Sequence, residues 1–170
     1  MKKAVLVIAE QIFRDEEYLK PKEILSQAGV EVVTASTTTG EAVGKLGLKV
    51  QPDLLVSQLK AEDYDALVFV GGGGAAQYFD DETAHALARG FAEAGKVVAA
   101  ICIAPVILAR AGLLRGKRAT VFPDGIPELT KAGAIYTAQR VERDGRIITG
   151  NGPEAAEAFG QKILAQLQQD

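Results

Sequence analysis

The sequence predicts an α/β fold: a single doubly wound, mainly parallel sheet with helices on both faces, flavodoxin-like in layout. Three observations carry this expectation. Short apolar runs alternate with longer amphipathic stretches, the rhythm of βαβ units. Several runs, such as Ala66–Val70 and Val97–Ala100, are unbroken Val, Leu, Ala and Phe, as in strands covered on both faces. Gly or Asp separates the segments, so most runs end beside a residue suited to a turn.

Along the chain, Ala4–Ala9 is the first strand candidate and Glu17–Gln27 the first helix. The acidic residues Asp15, Glu16 and Glu17 suit the positive end of its dipole. Val30–Ala35 is the next strand. Thr37–Lys49, punctuated by Gly40, Gly44 and Gly47, reads as a small β-hairpin excursion. Ala66–Val70 ends at four glycines, and one helix is expected over Ala75–Glu93, where Ala84, Leu87, Ala88 and Phe91 fall at helical spacing. Val97–Ala100 is a strand leading into a helix at Ala104–Ala111. Arg118–Val121 is a further strand and Pro127–Lys131 a short helix. Ala134–Thr149 reads as a strand pair closed by Asp144-Gly145, a hairpin dipeptide, with Ile147–Thr149 as its second arm. The last helix, Glu154–Leu167, includes Ala155, Ala158, Phe159, Ile163 and Leu167 on one face and starts at Pro153, a favoured first-turn residue. No repeat or linker interrupts residues 1–170, so one domain is expected.

With 48% hydrophobic and 24% charged residues, the 170-residue chain is too apolar for disorder and long enough for a core. A net charge of −3 and the lack of a basic stripe argue against nucleic acid as a partner. The one basic cluster, Arg115-Gly116-Lys117-Arg118, reads as a solvated turn. Val97–Ala109, the longest apolar run, is shorter than the roughly 20 residues that span a bilayer and contains Pro105. Too few apolar residues follow Met1-Lys2-Lys3 for a signal peptide. A soluble, cytoplasmic protein without a membrane partner is therefore expected. The single cysteine and single histidine, Cys102 and His85, exclude an intramolecular disulfide and a multi-ligand Cys/His zinc site. No metal or cofactor is expected.

Ligands of open α/β sheets bind beyond the carboxyl ends of the strands, where three turns hold candidates. Cys102 falls between a strand and a helix, flanked by Ala99, Ala100 and Ala104, small enough for a sharp nucleophile turn. The helix start would then favour a thiolate; a buried structural cysteine is the alternative. Gly71-Gly72-Gly73-Gly74 matches neither G-x-G-x-x-G nor a P-loop, which leaves a plain turn or a source of N–H donors to an oxyanion. The carboxylates of Asp15-Glu16-Glu17 either serve the helix dipole or, if one enters the pocket, take a raised pKa and donate a hydrogen bond to sulfur.

Taken together, these turns resemble the ThiJ/PfpI superfamily over nearly the whole chain. The resemblance rests on Glu17-x-x-x-Pro21, Gly71-Gly72 and AAICIAP around Cys102. Leu113-x-Arg115-Gly116-x-x-Ala119-Thr120 and Asn151-Gly152-Pro153 also fit. It implies Cys102 as the reactive cysteine, Glu17 as the pocket glutamate, and Gly72 with the Cys102 backbone as oxyanion donors. It also implies a homodimer or larger assembly. Two departures stand out. The protease branch carries histidine directly after the cysteine, where this chain has Ile103, and the parkinsonism-associated branch brings a histidine where Phe122 stands here. His85 reads as a surface or boundary residue. Asn151 replaces a residue that is often more basic in relatives, which weakens the case for anion binding there.

Without an imidazole, protonating the amine leaving group of a peptide is the hardest step, so little protease activity is expected. Addition of a thiolate to an aldehyde expels no leaving group. The resemblance therefore points to a cysteine-dependent hydrolase-type enzyme for small aldehydes or dicarbonyls, glyoxalase- or deglycase-like. Its substrate would be a small aldehyde or a glycated protein. The alternatives are a redox-sensing, stress-protective or chaperone-like protein whose exposed, low-pKa Cys102 oxidises to sulfinate, and a non-catalytic binding domain.

Overall fold

The computed structural model describes residues 1–170. Its elements are β1 (Lys3–Val7), β2 (Gln11–Phe13), α1 (Asp15–Gln27), β3 (Glu31–Ser36), β4 (Ala42–Gly44), β5 (Lys49–Val50), β6 (Leu54–Leu55) and β7 (Ala66–Phe69). There follow α2 (Glu82–Glu93), β8 (Val97–Ile101), α3 (Pro105–Arg110), β9 (Arg118–Ala119), α4 (Ile126–Lys131), β10 (Ile135–Tyr136), β11 (Val141–Asp144), β12 (Ile147–Gly150) and α5 (Ala156–Gln168). The main sheet has the order β11-β12-β8-β7-β1-β3-β6. All its pairings are parallel except β11 with β12 at one edge. This is the flavodoxin-like, mainly parallel architecture that the apolar runs predict.

The unbroken runs are apolar because each strand buries both faces. Val5, Val7, Leu67, Phe69 and Val98 join the core that includes Phe91 of α2, Ile107 of α3 and Leu129 of α4. Their neighbours Ala4, Leu6, Val68, Val97 and Ala99 join the opposite core, with Leu25 of α1 and Phe159 and Ile163 of α5. The alternation is the period of two along a strand. On that second face α1 and α5 pack closely. A Cβ on Gly160 would lie 2.9 Å from Ile24 Cδ1 and 3.1 Å from Pro21 Cα.

Several boundaries differ from the sequence expectation. The single helix over Ala75–Glu93 is two elements: a 3₁₀ stretch, Gly73–Tyr78, then α2. Asp81 caps α2 by accepting the Thr83 N–H, while Tyr78 Oη donates to the Ile8 carbonyl at 2.7 Å and pins the 3₁₀ turn to the end of β1. Arg118–Val121 does not enter the main sheet. β12 takes the place beside β8, with Ile147 opposite Val98, so β9 pairs with β10 outside it. The Ala134–Thr149 region likewise splits into β10 and the β11/β12 hairpin. The hairpin expected over Thr37–Lys49 is β4 and β5, and β2, which periodicity did not reveal, joins β4 to make a third small sheet.

From β1 the chain passes to β3 on one side and returns to β7 on the other, so the strand order reverses at β1/β7. The crevice at such a reversal is where ligands bind in this architecture.

Asp15 ties the small sheet to this crevice. Its buried carboxylate accepts the N–H groups of Leu46 at 3.0 Å and Leu48 at 2.9 Å, and a Cβ on Gly44 would collide with it. Asp15→Ala strips two N–H groups of their partner and should lower the unfolding free energy by about 2–4 kcal/mol. The urea midpoint should fall with an unchanged m-value; an unmoved midpoint would show that the hairpin holds without this carboxylate.

Candidate active site

Three adjacent strands, β8, β7 and β1, bring the sequence-predicted residues together. β8 ends at Ile101, and Cys102 follows with φ of +66°, a left-handed conformation unfavourable by about 1–2 kcal/mol for a residue with a side chain. Its backbone is held from both sides. The Cys102 N–H donates to the Gly150 carbonyl at 2.8 Å, and the Cys102 carbonyl accepts the Phe122 N–H at 2.7 Å. Ala99, Ala100 and Ala104, all fully buried, leave room for the turn. Backbone strain retained under such clamping is a mark of functional sites.

The turn after β7 lies against the segment that leads into α1. Gly72 has φ of +100°, and a Cβ there would fall 2.5 Å from the Arg14 amide nitrogen. Gly71 matters as much, although sequence reasoning gave it no separate part. Its carbonyl accepts the Arg14 N–H at 2.9 Å. A Cβ on it would collide with Glu17 Oε1 and lie 2.6 Å from Cys102 Cβ. Two glycines thus make the space in which Glu17 and Cys102 meet. Pro21, one turn along α1, has no N–H to offer the Glu17 carbonyl.

Glu17 is completely buried, and neither carboxyl oxygen has a well-formed hydrogen bond. Its polar neighbours are the Cys102 thiol and the Gly71 N–H. Burial pushes its pKa up from 4.5 to about 7. The Cys102 thiol is pushed up to about 12, first by burial and then by the Glu17 charge, while the N–H groups of Gly72 and Ile103 pull it back. The two groups titrate as a pair, and a thiolate forms readily only with Glu17 protonated.

Four expectations need correction here. Cys102 is 8% exposed and its pKa is raised, so it is not an exposed thiolate held by a helix start; α3 is six residues long, and burial outweighs its dipole. The Cys102 N–H is not free for an oxyanion because Gly150 takes it, and the Ile103 N–H faces the sulfur instead. His85, expected at the surface or a boundary, is 7% exposed, which removes the surface half of that expectation and leaves the boundary. Its Nε2 lies 2.7 Å from the Phe79 carbonyl, and it lines a separate hollow with Asp80, Arg110 and Glu128. Asp15, left among the dipole-serving carboxylates, is a buried anchor of the hairpin.

Cys102 opens on a cavity of about 240 Å³, lined also by Arg14, Lys45, Gly72, Gly73, Ile103, Phe122, Asp124 and Pro153. That is below the roughly 300–1,000 Å³ of drug-sized sites and suits a molecule of few atoms. An outer hollow shares Arg14, Phe122 and Pro153 with it and continues to Glu16 and Asn151. Arg14 is bound there by Glu16 through two 2.9 Å contacts. Ile103 and Phe122 line the cavity and the one histidine, His85, lines a separate hollow, so no histidine reaches the sulfur. No cluster of three His, Cys, Asp or Glu side chains forms a metal site. No helix is long and apolar enough to cross a membrane.

The sequence profile of the DJ-1/PfpI family matches residues 2–166. The chain is 32% identical to Protein dj-1beta of Drosophila melanogaster over 169 residues, covering 98% of this chain and 90% of that one. The crystal structure of Drosophila melanogaster DJ-1beta superposes with a TM-score of 0.89. The ThiJ/PfpI domain protein from Brachyspira murdochii shares 34% identity at a TM-score of 0.97, over 99% of this chain and 97% of that chain. Oxidized Toxoplasma gondii DJ-1 shares 31% identity at a TM-score of 0.86, over 96% and 90%.

The raised Glu17 pKa fixes a sign for stability. Between pH 4.5 and 7 the unfolded chain releases the Glu17 proton while the folded chain keeps it. Wild type should therefore lose stability as pH rises through this window, by on the order of 3 kcal/mol, with no further loss from this group above it. Glu17→Gln should flatten that part of the curve in urea titrations at pH 5 and 7.5. Parallel curves for the two proteins would mean that Glu17 ionises as an ordinary carboxylate.

Proposed function

Because the chain belongs to the DJ-1/PfpI family, we propose that Cys102 and Glu17 are the reactive pair of a cysteine-dependent enzyme for small aldehydes and dicarbonyls, of glyoxalase or protein-deglycase type. One observation carries the reading: a fully buried carboxyl group with no well-formed hydrogen bond, set beside a strained thiol at the floor of a small cavity. An unsatisfied buried carboxyl is costly, and such groups persist where chemistry uses them.

In the proposed mechanism Glu17 accepts the thiol proton as Sγ of Cys102 attacks the carbonyl carbon. The C–S bond forms, the C=O π pair moves to oxygen, and Gly72 and Ile103 N–H groups stabilise that oxygen. Glu17 returns the proton, giving a hemithioacetal. With a 2-oxoaldehyde, Glu17 then moves the hydrogen of the sulfur-bearing carbon, as a proton, to the neighbouring carbon, while the hydroxyl proton passes to the neighbouring oxygen, and a thioester is left. Water cleaves the C–S bond, releasing a hydroxy acid and restoring the thiol. With a free 2-oxoaldehyde no step expels an amine, and with a glycated protein the amine leaves a hemiaminal carbon with a proton from Glu17, whereas peptide hydrolysis would need an imidazole. Assembly as a homo-oligomer, a cytoplasmic setting and glycated proteins as substrates belong to the same proposal.

Methylglyoxal consumption should fall to background in Cys102→Ser and by about 10²–10⁴-fold in Glu17→Gln. Equal steady-state rates for wild type and Cys102→Ser would overturn the reading.

A redox role is the second reading, supported by the oxidized Toxoplasma gondii relative and by a carboxyl group placed to hydrogen-bond a sulfinate. Peroxide would transfer two oxygen atoms in succession to Sγ, each with loss of water. Intact-mass measurement after dilute peroxide should show a gain of about 32 Da on Cys102; oxidation confined to Met1 would remove this reading.

A further inference from the structure

The geometry of the cavity rim points to Lys45 as the residue that selects the substrate, favouring an aldehyde that carries a carboxylate. This rests on the proposed thiol chemistry and narrows its substrate class. Three ionic side chains line the cavity with Cys102: Arg14, Lys45 and Asp124. Arg14 is committed to Glu16 through both guanidinium contacts. The Lys45 ammonium enters none of the chain's ion pairs. Its charge reaches Glu16 only at a distance, so it is the cavity cation that no carboxylate holds in a contact pair.

Its placement is built into the fold. The Lys45 N–H donates to the Phe13 carbonyl at 2.8 Å, and the next residue, Leu46, is held by the buried Asp15 carboxylate. The backbone is fixed at the rim while the ammonium stays free to meet a ligand. Asp124, carried on the turn after Phe122, makes no ion pair and repels an anion from its own part of the wall. A substrate carboxylate is thus drawn to Lys45, leaving the carbonyl to Cys102. Asn151 belongs to the outer hollow and has no charge to compete.

Alkylation of Cys102 in the folded protein separates charge selection from turnover. Iodoacetate and iodoacetamide are nearly isosteric and differ in charge, and the ratio of their rates cancels the thiolate fraction. At low ionic strength Lys45→Gln should lower the iodoacetate-to-iodoacetamide ratio about three- to tenfold, and Lys45→Glu further. High salt should bring wild type toward the variants. Lys45 is exposed, so neither variant endangers folding. An unchanged ratio in both variants would overturn the inference and leave the thiol chemistry standing. A shifted ratio together with equal methylglyoxal rates for wild type and Cys102→Ser would do the reverse. If neither reagent reaches Cys102 until the protein is unfolded, the cavity is closed and both readings fall.

Discussion

A carboxyl group sealed from water with a thiol beside it is the constraint on which this structure turns. Glu17 and Cys102 are far apart in the chain, and neither is comfortable where it sits. Glu17 has no well-formed hydrogen bond, and Cys102 occupies a left-handed backbone conformation. Each is tolerated because the surrounding fold over-determines it. The parallel sheet supplies the rigid part: β8, β7 and β1 are neighbours buried on both faces, so their carboxyl ends are fixed relative to one another.

The loops beyond those ends do the finer placing. Gly71 opens the space between the two reactive groups, and Gly72 brings its N–H toward sulfur because only glycine fits against the Arg14 backbone. Gly150 and Phe122 clamp Cys102 from the far side. Asp15 spends its charge on the β4/β5 hairpin and so carries Lys45 to the rim of the same cavity. Adjacent carboxylates in one helical turn thus have opposite tasks. Asp15 is satisfied and structural, Glu17 is unsatisfied and available, and the difference is whether N–H donors meet them.

The electrostatics of the pair follow from burial. Water would stabilise both the carboxylate and the thiolate; its exclusion raises both pKa values, and each charge opposes the other. The site therefore favours a shared proton over two charges. That arrangement suits reactions in which a proton leaves one atom of a substrate and returns to a neighbour. It suits peptide hydrolysis poorly, since Ile103 and Phe122 leave no imidazole to protonate an amine.

Much of the scaffold was legible in the residues. Unbroken apolar runs identify doubly buried strands such as β7 and β8, Asp144-Gly145 marks the β11/β12 hairpin, and the small residues around Cys102 mark its turn. The short strands β2 and β6 escaped, because periodicity needs more residues than they have. The helix over Ala75–Glu93 was drawn too long because the pull of Ile8 on Tyr78 is a contact across seventy residues. Local patterning by itself determined a parallel sheet, a cysteine at a strand–helix junction and the scarcity of histidine. The resemblance already singled out Glu17; only the tertiary structure decided what holds it at the sulfur while Asp15 turns away, that the Ile103 N–H replaces that of Cys102, that the thiol is buried, and that Lys45 stands at its rim. Each of these depends on which distant donors and charges converge on one point, and spacing along a chain carries no information about convergence in space.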